Sequence, residues 1–307
     1  MSSRVNRLNE QTKLEKLEKK KIRKEKNKGL FKKLLIIAII FAIVALLYSF
    51  FIEPHILLIN EHNIITSKIT EPYNGLKIVH FSDLHYGKSI KSKNIDKIIN
   101  QINELKPDIV FFTGDLFEEG TNLSEKEIDK LTLALSKINA TLGKYAILGN
   151  HDINTEYEKY YDNIFSGSNF LLLNNSYDLI YKGDNHPIMV YGLDDILYGN
   201  PSFDGLKDLI LDENTYKIVL VHEPDYITEI PDDYNIDLVL SGHSHNGQIK
   251  IPFIRPILLP PGSKKYYSPY YKVNNMDLYI SNGVGTTFLP LRFGTPPSIN
   301  LYRLTNK

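Results

Sequence analysis

Between Leu34 and Ile52 the chain runs for nineteen residues, LLIIAIIFAIVALLYSFFI, without a charged side chain. About 20 apolar residues suffice to span a bilayer, and nothing else in the chain limits its folding as sharply. A buried helix of a soluble core is one alternative. The basic cluster that ends at Lys33, directly against the apolar run, fits a membrane span better. A cleaved signal peptide is another alternative, but its charged region would be unusually long, and no small-x-small cleavage pattern stands near Tyr48-Ser49-Phe50. The expectation is an uncleaved single-pass anchor in the cell membrane over residues 34–52. The next lysine after the span is Lys68, so the positive-inside rule sets residues 1–33 in the cytoplasm and everything after the span on the far side.

A formal net charge of zero over 307 residues hides how the charge is distributed. Residues 1–33 hold thirteen Lys and Arg against four Glu, a net of +9, which leaves −9 for the rest. The basic head suits anionic lipid headgroups. It is expected to be a solvated tail, with a charged helix over 10–28 carrying Leu14 and Leu17 as the alternative. The acidic remainder is not the footprint of a domain that binds a nucleic-acid polymer. There is no cysteine, which excludes disulfides, thiolate metal sites and cysteine nucleophiles. Any metal must be held by His, Asp, Glu or Asn.

Residues 53–75 read as a connector, and from Leu76 strands and helices alternate. LKIVHFS, DIVFFT, KYAIL, YKIVLVH and IDLVLS are strand-like runs. KNIDKIINQINEL sets Ile95, Ile98, Ile99, Ile102 and Leu105 at helical spacing, and SEKEIDKLTLALSKI opens with Ser124 and Glu127 as a capping box. SYDLIYKGDNHPIMVYGLDD predicts paired strands around a polar turn. QIKI, DLYIS and SINLYRL are further strand candidates. The pattern predicts α/β layering with a second sheet packed on the first.

Five of the strands lead directly into polar residues of ligand type: Asp83-Leu84-His85, Gly114-Asp115, Gly149-Asn150-His151-Asp152, His222-Glu223-Pro224 and Gly242-His243-Ser244-His245. Taken alone, Asp83-x-His85 could be a helix cap with a surface histidine, Gly114-Asp115 and Asn150-His151-Asp152 turns, and His222 a satisfied core histidine; His243-x-His245 is the least ordinary of the five. In open α/β sheets, however, ligands bind beyond the carboxyl ends of strands, so the five should converge. Imidazole suits zinc and iron, carboxylate suits manganese and magnesium. The number of donors exceeds one ion's need and fits two ions sharing a carboxylate, about 3.5–4 Å apart. His55, His62, His80 and His186 fall outside these motifs and are assigned no metal role.

The ordered set SDLH, GDLF, GNHD, VHEP and GHSHNGQ resembles the calcineurin-like metallophosphoesterase superfamily over residues 76–304. The tail, GHSHNGQIKIPFIRPILLPPG with YYSPYY and LPLRFGTPPSI, is similar to its YkuE/YaeI-like, membrane-associated bacterial branch. The resemblance implies two facing mixed β-sheets flanked by helices for residues 76–307, behind the N-terminal transmembrane helix. It implies two divalent ions, manganese first and zinc or iron as alternatives. Asp83, His85, Asp115 and His245 would hold one ion; Asp115, Asn150, His222 and His243 would hold the other. His151 would bind no metal and would protonate the leaving oxygen. Many relatives have an aspartate three residues after the bridging Asp, where it orients the catalytic His; here Glu118 stands there. Asp152 and Arg292 are candidates for supporting or substrate-contacting roles, and Gly192–Asn200 and the 252–272 loop are expected to edge the site. The implied activity is hydrolysis of a phosphate mono- or diester by activated hydroxide, on a lipid, envelope or cell-wall substrate. The rival readings are a UDP-2,3-diacylglucosamine-type pyrophosphatase, a cytoplasmic nucleotide phosphodiesterase and a non-catalytic scaffold.

Overall fold

Strands that are apolar at every position need cover on both faces, and this chain builds three apolar layers to supply it. The computed structural model describes residues 2–153, 155–207, 209, 212–256 and 259–307, with side chains left undescribed at 2–8, 10 and 11. The elements are α1 (Ser2–Phe51), β1 (Leu58–Thr66), β2 (Leu76–Phe81), α2 (Ser92–Glu104), β3 (Ile109–Thr113), α3 (Glu125–Ser136), β4 (Gly143–Ile147), α4 (Tyr161–Gly167), β5 (Leu171–Leu172), β6 (Ser176–Ile180), β7 (Ile188–Gly192), β8 (Tyr216–Leu220), β9 (Leu238–Ser241), β10 (Tyr270–Val273), β11 (Met276–Ile280) and β12 (Ser298–Asn306). The chain divides into one unit up to Ser49 and another over Phe50–Lys307.

In the first unit the basic head is helical rather than a loose tail: it continues without a break into the apolar run as α1. At 1.5 Å per residue the uncharged nineteen residues extend about 28 Å, close to the ~30 Å hydrocarbon thickness of a bilayer. Leu34, Ile37, Phe41 and Val44 are all exposed, as are Leu14 and Leu17 in the head.

The second unit holds two six-stranded mixed sheets, in the orders β1-β12-β2-β3-β4-β5 and β10-β11-β9-β8-β7-β6. β2, β3, β4 and β5 run parallel, with β12 antiparallel to β2. β11, β9, β8 and β7 run parallel, with β10 and β6 antiparallel at the two edges. Side chains alternate along a strand, and the two parities build different cores. Ile78, Phe111 and Ile147 of the first sheet meet Val190, Ile218 and Leu240 of the second. The opposite parity of the first sheet, with Val79, Val110 and Phe112, packs under α2, α3 and α4. The outer face of the second sheet, with Tyr191, Val219 and Val239, is covered by irregular chain and 3-10 turns such as Pro224–Glu229. The architecture is the expected one, two facing mixed sheets flanked by helices.

Local signals hold where they were strong. Glu127 Oε2 accepts from the Ser124 amide at 3.0 Å, so the capping box opens α3. Three expectations change. The connector over 53–75 contains β1, which pairs in parallel with β12 from Leu58↔Ser298 to Thr66↔Asn306. QIKI forms no strand; its Ile249 makes an isolated bridge to Phe293, because the backbone is turning through left-handed geometry at Gln248. β5 and β10 are additional strands, each too short or too exposed to show a clear period.

His80 is a buried residue of β2, with Nε2 2.8 Å from Thr113 Oγ1 and Nδ1 3.2 Å from the Tyr302 hydroxyl. Burial pushes its pKa down from 6.5 to about 3. Between those values the unfolded chain binds a proton that the folded chain refuses, so the neutral ring's contribution is present above about pH 6.5 and is lost as pH falls towards 3. The slope is about 1.4 kcal/mol per pH unit. Urea unfolding at pH 7 and pH 5 will show a smaller difference in His80→Gln than in the parent; equal differences would remove His80 as a source of acid sensitivity.

Candidate metal centre

The five polar segments meet at one place. β2, β3 and β4 deliver Asp83 with His85, Asp115, and Asn150 with His151 from the first sheet; β8 and β9 deliver His222, and His243 with His245, from the second. Asp83, His85 and His245 form one group whose donor atoms all lie within 4.8 Å of one another, and Asp115, His222 and His243 form a second. In the first, His245 Nε2 is 3.3 Å from Asp83 Oδ1 and 3.1 Å from His85 Nε2. In the second, His222 Nε2 is 3.2 Å from Asp115 Oδ2. The same Asp115 oxygen is 3.7 Å from His85 Nε2, so one carboxylate oxygen faces an imidazole of each group.

The far side of each ring decides which nitrogen is free. His222 Nδ1 donates to the Thr113 carbonyl at 2.6 Å, and His243 Nε2 donates to the Pro261 carbonyl at 2.7 Å. His85 Nδ1 lies 2.7 Å from Glu118 Oε2. Carbonyl and carboxylate oxygens only accept, so those nitrogens carry the protons. His222 Nε2, His243 Nδ1 and His85 Nε2 are the nitrogens left for the cluster, the orientation a metal-ligating histidine adopts. Asn150 Oδ1 is buried with no hydrogen-bond partner. Two carboxylates, four imidazoles and an orphaned amide oxygen fit a pair of divalent cations, as does the chemistry of an all-N/O donor set.

Burial opposes charge on every one of these groups, and their mutual attraction decides the outcome. Despite burial, His222, His151 and His85 hold the Asp115 carboxyl well below the usual range, and His245 and His222 do the same for Asp83. His222 is raised, because Asp115 outweighs its desolvation. His243, buried and beside His222, is pushed down to about 4. Burial would raise Glu118, but its bonds to His85 and Lys88 bring it down to about 2.

The backbone bends hard to gather these side chains. Asp83, His85, Asp115, His243 and His245 all have positive φ, at 51°, 44°, 59°, 66° and 47°. Such geometry costs roughly 1–2 kcal/mol for each non-glycine residue and collects where function demands it. Gly242 is needed for space: a Cβ there would stand 2.7 Å from Asp83 Oδ2.

Glu118, Asp152 and Arg292, candidates for supporting or substrate-contacting roles, all stand in supporting positions. Glu118 pairs with His85, and with Lys88 Nζ at 2.8 Å, so it steadies a cluster histidine, and its carboxylate also lies within 4.8 Å of a ring nitrogen of His151. Asp152 is fully buried and cannot meet substrate. Its carboxylate accepts from the amides of Asp115 at 2.8 Å, Gly149 at 3.0 Å and Leu116 at 3.0 Å, and from the Tyr161 hydroxyl at 2.9 Å. It thereby ties the end of β3 to the end of β4. Arg292 is also fully buried and does not face a phosphate. Its guanidinium donates to the carbonyls of Thr295 at 2.8 Å, Gly283 at 3.1 Å and Gly285, and lies 3.2 Å from His245 Nδ1.

The contributions of Thr113 and Pro261 have no sequence signal, because they are made by main-chain carbonyls. Glu223, next to His222, is buried too; burial and the neighbouring Asp195 raise its pKa well above the ordinary value.

Two clefts open beside the cluster. One, about 450 Å³, is lined by Asn150, His151, Glu119, Glu156 and Tyr198, the last from the Gly192–Asn200 segment. The other, about 350 Å³, is lined by His243, His245, Ile249, Leu259 and Leu289 among others. Leu259 and Pro260 come from the 252–272 loop, of which 257 and 258 lie outside the described residues.

Comparison with known proteins agrees with this geometry. The family model described as calcineurin-like phosphoesterase matches residues 76–247. The uncharacterized metallophosphoesterase YkuE of Bacillus subtilis is 36% identical over 257 residues, 84% of this chain and 88% of that one. An uncharacterized metallophosphoesterase of Helicobacter pylori is 31% identical over 242 residues, 76% of this chain and 60% of that one. A transmembrane protein with metallophosphoesterase domain from Danio rerio is 27% identical over 248 residues, 76% of this chain and 54% of that one. With four strand-end motifs supplying two donor groups, the fifth placing His151 in a further group with His85 and Glu118, and a family match over most of the second unit, the chain belongs to the calcineurin-like phosphoesterases and is a metal-dependent phosphoester hydrolase.

Proposed function

We propose that this hydrolase is anchored in the cell membrane through residues 34–52 and acts outside the cytoplasm on a phosphate mono- or diester of a lipid, envelope or cell-wall compound. The observation that carries the binuclear part is Asp115 Oδ2, which faces His85 at 3.7 Å and His222 at 3.2 Å. Asp83, His85, Asp115 and His245 would hold one ion, and Asp115, Asn150, His222 and His243 the other. Two divalent ions there, manganese first among the choices and zinc or iron next, would supply an acidified water and charge neutralisation for the phosphoryl oxygens.

The chain's own groups do the rest. His151 does not bind metal. Its main-chain N–H is fixed by Asp115 Oδ1 at 3.0 Å, and its ring stands edge-on to His85 with centroids 5.1 Å apart. From the wall of the larger cleft it gives its proton to the departing alcohol. Glu118 keeps His85 in one tautomer, and Asp152 keeps the Asp115 loop in register. A complete donor set and an intact Asn150-His151 pair argue against a non-catalytic scaffold. Anchoring is supported by the nineteen uncharged residues that form part of the single helix α1, and sidedness by the head's excess of lysine and arginine. An outward-facing site argues against a cytoplasmic nucleotide substrate, UDP-2,3-diacylglucosamine included.

The test uses the full chain in detergent, stripped by a chelator and reloaded. Manganese is expected to restore hydrolysis of bis(p-nitrophenyl) phosphate. No turnover with manganese, zinc or iron would sink the proposal. Protease added to intact cells should digest residues 53–307; full protection would reverse the orientation.

A further inference from the structure

The two clefts beside the cluster are chemically opposite. The cleft at His151 carries Glu119 and Glu156, both exposed, and the tyrosine hydroxyl of Tyr198. The cleft at His243 and His245 is walled by Ile249, Leu259, Pro260 and Leu289. At its rim Phe288 is 83% exposed and Leu289 54% exposed. Single exposed apolar side chains are ordinary, but apolar residues gathered around a concave surface mark a binding site.

This rim is built, not loose. Gln248 accepts from the Thr287 amide at 3.0 Å and donates to the Thr287 carbonyl at 2.9 Å. Glu118 Oε1 accepts from the Phe288 amide at 3.4 Å. Phe288 has a φ of 59°, a conformation uncommon for a bulky residue, and it turns its ring to solvent. The same Gln248 ends the motif that supplies His243 and His245, so the apolar wall and the donor cluster are parts of one construction.

We infer that the substrate is an amphiphilic phosphodiester whose hydrocarbon chain lies in the His243–His245 cleft while its polar alcohol leaves from the His151 side. The inference rests on the phosphoester-hydrolase function of the same site. Hydrocarbon gains by leaving water only where the walls are apolar, and a hydroxylated or cationic group is at home beside Glu119 and Glu156. The acid, His151, lines the polar cleft, so the group seated there is the one that departs. Water adds to phosphorus, the P–O bond to the polar alcohol breaks, and that oxygen leaves with a proton. The hydrocarbon remains on a phosphate monoester.

The experiment offers the manganese-loaded full chain three glycerol phosphodiesters, with methyl, butyl or octyl as the second group, all below their critical micelle concentrations. The expected result is a rise in kcat/KM of about two- to fourfold per methylene until the cleft is filled, with glycerol and alkyl phosphate as products. Calorimetric affinity for methyl, butyl and octyl phosphate should follow the same order. Phe288→Ser, at an exposed position, and Leu259→Asp should each lower the octyl-to-methyl ratio of kcat/KM about tenfold. Equal kcat/KM on methyl and octyl diesters would overturn the cleft assignment and leave the hydrolase intact. Glycerol phosphate plus alkanol as products would overturn the orientation. If none of the three diesters nor bis(p-nitrophenyl) phosphate is cleaved, the hydrolase proposal itself fails.

Discussion

Asp115→Asn will retain fewer than two divalent ions per chain and will slow phosphodiester hydrolysis by about 10³-fold or more, the rate equivalent of losing several kcal/mol of charge stabilisation. The substitution preserves shape and leaves the buried cage around it unstrained. What changes is charge. The oxygen that faces His85 and His222 belongs to a carboxylate held ionised by His222, His151 and His85. An amide cannot offer two cations a shared negative oxygen. Elemental analysis after gel filtration counts the ions, and far-ultraviolet circular dichroism checks that the fold survives. Two ions per chain with near-parent turnover would remove Asp115 from the bridging position.

His151→Ala behaves in the opposite way. Both ions stay, since His151 lies in neither donor group that contains Asp83 or Asp115. Turnover of an alkyl diester drops about 10²- to 10⁴-fold, the usual worth of a positioned general acid. A p-nitrophenyl ester loses far less, because its phenolate departs without help. The plot of rate against leaving-group basicity therefore steepens in the variant. A uniform loss across all leaving groups would mean that His151 binds the phosphoryl group and donates no proton.

Much of the site was legible because strands apolar on both faces announce themselves, and their ends can be counted. Asp83, His85, Asp115, Asn150, His151, His222, His243 and His245 all stand within a few residues of a strand's carboxyl end, where a ligand site is expected. The failures share a cause: they concern partners far apart in the chain. β1 looked like a connector because it is an edge strand with exposed positions such as Ile65, and its ladder partner among the described residues lies about 240 residues later. For Arg292 and Asp152 the sequence left a supporting and a substrate-contacting role both open. Both are buried, and their partners are mostly main-chain groups that no sequence displays. Glu118 follows Asp115 by three residues, yet which ring it meets depends on a backbone turn. The apolar cleft takes its walls from around 243–249, 259–260 and 287–289, and no one of these segments looks unusual by itself.

The position of β12 bears on how the molecule is made. The last strand of the fold is inserted between β1 and β2, pairing with both. During synthesis, β2, β3 and β4 can pair as they emerge, but β1 has to wait for the last strand to be translated. A fold closed by such a distant pairing is expected to form slowly. If residues 53–307 cross the membrane as proposed, β1 crosses first and stays an open edge until β12 arrives, an interval in which it is a natural client for any chaperone that covers unpaired strands.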